Sequence, residues 1–494
     1  MTAYSDLERR FRRLSALGGA LGVLHWDQAT MMPAGGADAR AEQVAILGVM
    51  SHELLTAPEL ADLLAAAEAG AAGLDPWQAA NLREMRRQWR HATALDSALV
   101  EARSRASSAC EMIWRSARAD NDFAALRPSF EEVLKLTREV AAAKAAAFGL
   151  DPYDALLDEY EPDGRAAAID RIFGDLEDFL PGFVDRALAA GAKPPLPLAG
   201  PFPIEAQRKL GLQFMEALGF DFHHGRLDVS LHPFTGGVPD DVRITTRYAE
   251  ADFTKALMGV LHETGHALYE RGLPAEWRQQ PVGQARGMAL HESQSLLIEM
   301  QVCRGPAFMA YAAPLLRRAF GGGGPAWEPD NLGRIYRRVA RSLIRVDADE
   351  VTYPLHVILR YRLERAMLAG DLRVADLPGA WRDGMQGLVG IAPDDDRDGC
   401  LQDIHWPSGS IGYFPTYTLG ALAAAQLFAA ATEQDPSILP GISQGDFKPL
   451  LAWLKPNVHG LGARFSTDEV LRRATGKPLG TAAFKRHLTA RYLG

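Results

Sequence analysis

Residues 256–270 read ALMGVLHETGHALYE, and this stretch decides both the helical character of the chain and its chemistry. Ala256, Leu257, Val260, Leu261, Ala267 and Leu268 recur at helical spacing, and Gly259 and Gly265 are the only weak helix formers among them. The pattern predicts a buried amphipathic helix. On such a helix His262 and His266, four positions apart, project from one face, so both imidazoles reach a single metal ion with Glu263 beside it. Either histidine alone reads more simply as a core or capping residue. Together with Glu263, however, they are costly to bury unless a divalent cation compensates. The motif would arise by coincidence in roughly two chains of this composition per hundred, so its surroundings must decide.

A catalytic zinc needs a third protein ligand and a position left for water. The histidine-rich continuation of the metzincins is excluded, because Tyr269 stands where that pattern requires glycine. Downstream candidates are Glu270, Glu276, His291, Glu292 and Glu299. Glu270 lies two turns along the same helix from His262, about 12 Å away along the axis, and is expected to pair with Arg271 or face solvent. Residues 288–301 (MALHESQSLLIEMQ) predict a second amphipathic helix, and an antiparallel pairing brings its first turn back to the motif. Glu292 is the preferred third ligand. His291 is its near rival, since neighbours on a helix point about 100° apart and only one of them should face the metal.

Helical patterning dominates the rest of the chain. With 494 residues and 47% hydrophobic content it can bury a large core. Ala-, Leu- and Arg-rich amphipathic stretches run through 3–20, 36–70, 76–118, 129–148, 165–190, 204–218, 330–369 and 413–432. The best strands are 226–231 and 242–248, joined by the turn-rich Thr235-Gly236-Gly237-Val238-Pro239-Asp240, which predicts one small β-hairpin just upstream of the metal helix. The fold class is therefore all-α, mainly helical. The Pro-rich stretch 193–203 (KPPLPLAGPFP) separates a helical N-terminal wall, about 1–192, from a zinc-bearing portion, about 204–494. These are expected to be two walls of one cleft in a single catalytic domain, 1–494.

A net charge of −9 and a pI near 5.8 argue against nucleic-acid binding, and the basic clusters at 86–90 and 337–345 read as solvated or salt-bridged helix faces. Cys110, Cys303 and Cys400 are widely spaced and odd in number, as suits a reducing compartment. The segment from Arg9 to Trp26 imitates a signal peptide only faintly: Asp6 and Glu8 intrude, Gly18, Gly19 and Gly22 dilute the apolar run, and no cleavage site follows. A cytoplasmic location is expected. No uncharged apolar run of about 18 residues occurs, so no membrane span is expected.

Two further constellations belong with a peptidase. Residues 344–350 (IRVDADE) embed charges in an apolar, helical-looking context, and Gln402-Asp403-Ile404-His405-Trp406 precedes Gly409, Gly412, Tyr413 and Tyr417 in a loop dense in donors. Such loops stabilise developing oxyanions.

The ordered series His232-Pro233-Phe234, Asp241-Val242-Arg243-Ile244-Thr245, His262-Glu263-Thr264-Gly265-His266, His291-Glu292-Ser293, Ile344-Arg345 with Ala348-Asp349, and Gly399 with Gln402-Asp403 and His405-Trp406 resembles the carboxypeptidase Taq family of thermostable metallocarboxypeptidases. Trp26-Asp27-Gln28 through Met31-Met32-Pro33 is similar to that family's N-terminal pattern, and the resemblance spans nearly the whole chain. Asp347 stands where a glutamate is more usual. The resemblance implies a two-walled, neurolysin-like gluzincin fold with a deep groove, usually as a homodimer. It implies zinc, or cobalt as a substitute, bound by His262, His266 and Glu292, with Glu263 as general base. Arg345 would grip the substrate's terminal carboxylate, and His405 and Tyr413 would contact substrate or the tetrahedral intermediate, with Tyr417 an alternative to Tyr413. His232 and Arg243 would line the groove or brace the hairpin. The expected activity is release of single amino acids from free C-termini of peptides with broad specificity. The rivals are a dipeptidyl carboxypeptidase or endo-oligopeptidase sharing the zinc site, and a non-catalytic peptide binder, against which an intact Glu263 argues.

Overall fold

The computed structural model describes residues 2–191 and 193–494. Eight helices precede the Pro-rich stretch: α1 (Ala3–Thr30), α2 (Ala37–Thr56), α3 (Pro58–Ala69), α4 (Pro76–Thr93), α5 (Ser97–Asp120), α6 (Phe123–Phe148), α7 (Pro152–Tyr160) and α8 (Ala166–Ala190). The runs expected at 36–70 and 76–118 are each broken. Pro58 cannot continue α2 and instead opens α3, while Asp96 caps α5 by accepting from the Leu99 N–H. Asp75 opens α4 with a reciprocal capping box to Gln78.

After α9 (Ile204–Ala217) come β1 (Gly225–Val229), β2 (Thr235–Val238) and β3 (Asp241–Thr246). The expected hairpin between 226–231 and 242–248 is not what forms: β1 runs parallel to β3, and the turn-rich segment itself supplies β2, which pairs antiparallel on the other edge of β3. The physical reason lies in the buried Thr245. Its hydroxyl accepts from the Phe234 N–H at 3.0 Å and from the Ser230 hydroxyl at 2.7 Å, so the segment after β1 folds back and its glycines pair with Val242 and Arg243. The true hairpin is β2–β3, turning at Pro239-Asp240.

The remainder is helical: α10 (Thr254–Gly272), α11 (Met288–Leu296), α12 (Pro306–Phe320), α13 (Pro329–Tyr336), α14 (Tyr353–Ala369), α15 (Leu377–Leu388), α16 (Pro415–Gln434), α17 (Ile438–Gln444), α18 (Lys448–Asn457), α19 (Thr467–Thr475) and α20 (Ala482–Tyr492). The fold is mainly α with one small sheet, as expected. Two further expectations at element level fail. The stretch 330–369 is not continuous helix: between α13 and α14 it is irregular, and Arg345 sits in a short 3-10 turn, Arg345–Asp347. The predicted helix 288–301 is α11 followed by a π turn, Leu297–Cys303.

The largest apolar core joins Cys110, Phe130, Leu157, Phe173 and Leu180 to Ala289, Leu355, Trp406 and Leu422, so it crosses the Pro-rich stretch. A second core gathers α9, α10, α12 and α16 through α19. The Pro-rich stretch is tethered, because Asn331 accepts from the Leu196 N–H at 2.7 Å and donates to the Leu196 carbonyl at 3.0 Å. No single described helix is long and apolar enough to cross a membrane; only the pair α2–α3, bent by 46°, passes a test of length and composition.

Candidate metal centre and active site

α11 is held between two helices at glycines. A Cβ on Gly265 of α10 would lie 2.4 Å from the Gln294 carbonyl oxygen, and one on Gly420 of α16 would lie 2.8 Å from Cβ of Glu292. No larger residue permits this approach, which sets Glu292 against the face of α10 that carries the histidines. Contacts run in opposite order along the two segments, from His262 with Glu299 to His266 with Glu292 and then Glu270 with His291, so α10 is antiparallel to α11 and its π extension.

One ligand atom each from His262, His266 and Glu292 lies within 4.8 Å of the others. A carboxylate oxygen of Glu292 is 3.3 Å from Nε2 of His266 and 3.8 Å from Nε2 of His262. A tetrahedral ion with bonds of about 2.0–2.1 Å needs ligand–ligand edges of about 3.3 Å. The two Glu292 edges are near that length, so the three donors are placed to hold a metal. His291, the rival ligand, faces elsewhere: its Nε2 meets Glu270 at 2.8 Å and its ring stacks on His266 at 4.5 Å. Glu270 is thus neither solvent-facing nor paired with Arg271, because α11 passes close enough to bring His291 to it.

Glu299, one of the downstream candidates, plays a part that sequence spacing did not reveal. Its carboxylate meets Nδ1 of His262 at 2.9 Å, which turns Nε2 of that ring toward Glu292, and its other oxygen accepts from Arg304 at 2.5 Å. The π turn supplies the extra residue that rotates Glu299 into this position. Burial by itself would strip the proton from His262, yet Glu292, Glu299 and Glu263 outweigh it and raise the imidazole to about 10. An anion-rich cluster that draws a proton onto a buried histidine is an environment built for a cation. Burial and the neighbouring His291 hold His266 down, and its Nδ1 has no hydrogen-bond partner among the described residues. Glu299, despite burial, is held at about 2 by Arg304 and His262.

Glu263 is 7% exposed, and one oxygen, Oε2, accepts from the Thr235 hydroxyl at 2.7 Å. Oε1 has no hydrogen-bond partner among the described residues.

Arg345 lies in a dense constellation. Its Nε and Nη2 donate to Asp403 Oδ1 at 3.1 and 2.8 Å, its Nη1 to the Tyr353 hydroxyl at 2.6 Å, and its backbone N–H to Gln402 at 2.8 Å. The guanidinium lies over Tyr417 at 5.0 Å and Phe414 at 5.4 Å. Arg360, with no exposed surface, donates to the other oxygen of Asp403 at 2.7 Å. Burial opposes the Asp403 charge, but Arg360 and Arg345 hold it far below the usual carboxylate range. Asp349 organises the loop, accepting from the backbone N–H groups of Ala340, Val351 and Thr352. Asp347, exposed, pairs with Lys255.

His405 Nε2 is 3.2 Å from the Tyr417 hydroxyl, and its ring lies 5.6 Å from that of Tyr413. Burial and Arg345 push His405 down to about 4, so it is neutral near pH 7. Tyr413 and Tyr417 sit edge to face at 5.2 Å, and the charge of Glu292 acts on both and on Tyr353. The metal donors, Arg345 and the tyrosines therefore share one neighbourhood. Arg243 pairs with Asp241 and lies over Trp26 at 4.5 Å, bracing β3 against α1, whereas His232 is exposed.

Comparison with known proteins identifies the family of the chain. Residues 6–492 match the family described as carboxypeptidase Taq (M32) metallopeptidase. Thermostable carboxypeptidase 1 of Thermus thermophilus is 39% identical, over 99% of this chain and 98% of its own. The structure of Trypanosoma cruzi metallocarboxypeptidase 1 superposes with a TM-score of 0.97 at 41% identity, covering 100% of this chain and 99% of that one. An M32 carboxypeptidase from Deinococcus radiodurans superposes with a TM-score of 0.93 at 36% identity, covering 99% and 98%. With a metal-ligand cluster on the expected helices and likeness over its whole length, the chain belongs to the carboxypeptidase Taq (M32) family of metallopeptidases, which are peptide-bond hydrolases.

Proposed function

We propose that this protein is a zinc carboxypeptidase that removes single amino acids from the free C-terminus of peptides with broad specificity. The observation that carries the reading is a surplus of buried positive charge. Arg345 and Arg360, 5% and 0% exposed, share the single carboxylate of Asp403, and His356 and His405 add no charge because burial and the arginines push them down to about 3 and about 4. A buried, uncompensated guanidinium is costly, and an incoming carboxylate removes that cost. Arg345 has spent three of its five N–H donors on Asp403 and Tyr353, which leaves one on each terminal nitrogen for a bidentate pair with the α-carboxylate.

His262, His266 and Glu292 would hold the metal, and an N2O donor set suits zinc, with cobalt as a substitute. When bound, the ion polarises the scissile carbonyl and acidifies the attacking water. Glu263 takes the water's proton through Oε1 and passes it to the leaving amine. Tyr413 or Tyr417, with neutral His405 beside them, donates to the oxygen that becomes negative. Arg345 fixes the chain end and so sets the register at one residue.

We further read the chain as one catalytic unit, since the principal core crosses the Pro-rich stretch, and place it in the cytoplasm, where three buried unpaired cysteines are at home. α2 buries none of its side chains, and Ile46, Val49 and Met50, 53%, 56% and 44% exposed, form an apolar stripe at helical spacing, which supports a homodimer through this face.

The test pairs a metal assay with mass spectrometry of products from free-acid and amidated forms of one hexapeptide. Single residues released stepwise from the free acid alone support the reading. Dipeptides or internal fragments assign the site to a dipeptidyl carboxypeptidase or oligopeptidase, and equal cleavage of both forms removes the role of Arg345.

A further inference from the structure

We infer that Thr235 is the positioning residue of the general base. It lies on β2, twenty-eight residues before Glu263, and its hydroxyl is 2.7 Å from Glu263 Oε2 and 3.1 Å from the Glu263 carbonyl oxygen. A hydroxyl has one proton, and the carboxylate is the stronger and nearer acceptor, so the charge-assisted bond takes it. The bond restrains the terminal torsion of Glu263, which is otherwise broad, and thereby aims Oε1. The strand that carries Thr235 is itself fixed. β2 pairs with β3 from Thr235 opposite Ile244 to Val238 opposite Asp241, and Ile244 is fully buried. On its other side β2 meets α1, where a Cβ on Gly19 would lie 3.3 Å from Val238 and one on Gly22 would lie 3.6 Å from the Gly237 carbonyl oxygen. α1 is in turn pinned to the sheet, because the guanidinium groups of Arg226 and Arg243 lie over the Trp26 ring at 5.0 and 4.5 Å. Thr235 thus transfers the rigidity of the sheet to one oxygen of the base. The inference rests on the reading of Glu263 as base, and it accounts for why the glycine-rich segment before Pro239 must form a strand at this place.

The experiment uses the full-length, metal-loaded protein and an N-blocked dipeptide with a free carboxylate. Thr235→Val keeps the shape and strand preference of the side chain and removes the proton donor. Its kcat should fall about 10- to 100-fold with KM within about twofold, as expected for loss of one hydrogen bond to a charged group that acts only in the chemical step. Bound metal and Tm should stay at native values. Thr235→Ser should recover kcat to within about threefold of native, since it restores the donor. Native kcat in Thr235→Val, or a serine variant as slow as the valine one, overturns the inference. So does a valine variant whose loss follows its metal content or Tm. The background Glu263→Gln separates the two readings: without a base, adding Thr235→Val should change the residual rate no further, whereas a further loss assigns Thr235 some role other than positioning Glu263. Full turnover by Glu263→Gln alone removes the base itself.

Discussion

At the scale of single residues, the side chains proposed to hold the metal are less distinctive than those that aim them. Glu299 orients His262, and Asp403, itself held by Arg360, orients Arg345; each of these bonds is at least partly buried. Replacing Glu299 with Gln should weaken metal affinity about 10- to 100-fold, because the ring of His262 loses its charged partner. Competition against a chelator of known affinity measures this, and an unchanged affinity would remove Glu299 from the centre. At Arg345, lysine is not conservative: a point charge cannot hold Asp403 and a substrate carboxylate in the same plane. Arg345→Lys should therefore raise KM for free-acid peptides at least tenfold and leave the already slow cleavage of amidated ones unchanged, which side-by-side kinetics will show.

At the scale of elements, α10 contains its own control. Gly259 and Gly265 are both weak helix formers, but a Cβ on Gly259 meets nothing within 4 Å, whereas one on Gly265 meets the backbone of α11 at 2.4 Å. Gly259→Ala should stabilise the protein by about 0.5–1 kcal/mol through helix propensity alone. Gly265→Ala should destabilise it by about 1–3 kcal/mol or more and reduce bound metal, since α11 must move and takes Glu292 with it. Thermal unfolding with parallel metal analysis distinguishes the two. Both glycines stood in the sequence as equivalent weak points in one helical pattern. Their difference belongs to the neighbour, and no residue of α10 announces how close α11 will come. The sheet teaches the same lesson, because period-two patterning found β1 and β3 but did not encode whether they would pair parallel or antiparallel. The buried hydroxyl of Thr245 and the backbone of residues 234–238 settled that.

At the scale of the whole molecule, Glu161 ties three regions together. It follows α7, accepts from the Ala289 N–H at the start of α11 at 2.9 Å, and is bound by the Thr467 hydroxyl at the start of α19. Burial pushes its carboxyl up to about 7, against the opposing effects of Thr467, Ala289, Arg286 and Arg87. In the unfolded chain the group titrates near 4.5, so between about pH 4.5 and 7 the folded state holds more protons than the unfolded one. Stability from this group therefore falls as pH rises through that window, by an amount on the order of 3 kcal/mol once pH exceeds 7. Glu161→Gln reproduces the protonated form, with its oxygen toward Ala289 and its nitrogen toward Thr467. It should flatten the decline in Tm between pH 5 and 7.5, and an unaltered decline would assign the pH dependence elsewhere. Assembly is tested at the same scale: Val49→Glu on the apolar stripe of α2 should convert a dimer to monomer in light scattering.

By itself the sequence determined the helical class, the helix that carries the candidate metal ligands and most of the candidate site residues, because these depend on chemistry and on spacing within one element. Two histidines and a glutamate on one turn have few other uses, and the ordered series of motifs placed Glu292, Arg345 and His405 beside them. Tertiary structure alone decided the rest. It exposed the charge surplus at Arg345, since Arg360 comes from α14 and Asp403 from a separate loop. It also turned Glu299 from a possible ligand into the hydrogen-bond partner of His262, and made Thr235, in a segment that reads as a turn, the partner of Glu263. Each of these outcomes depends on how closely separate elements approach one another, and that distance is set by packing between residues far apart along the chain.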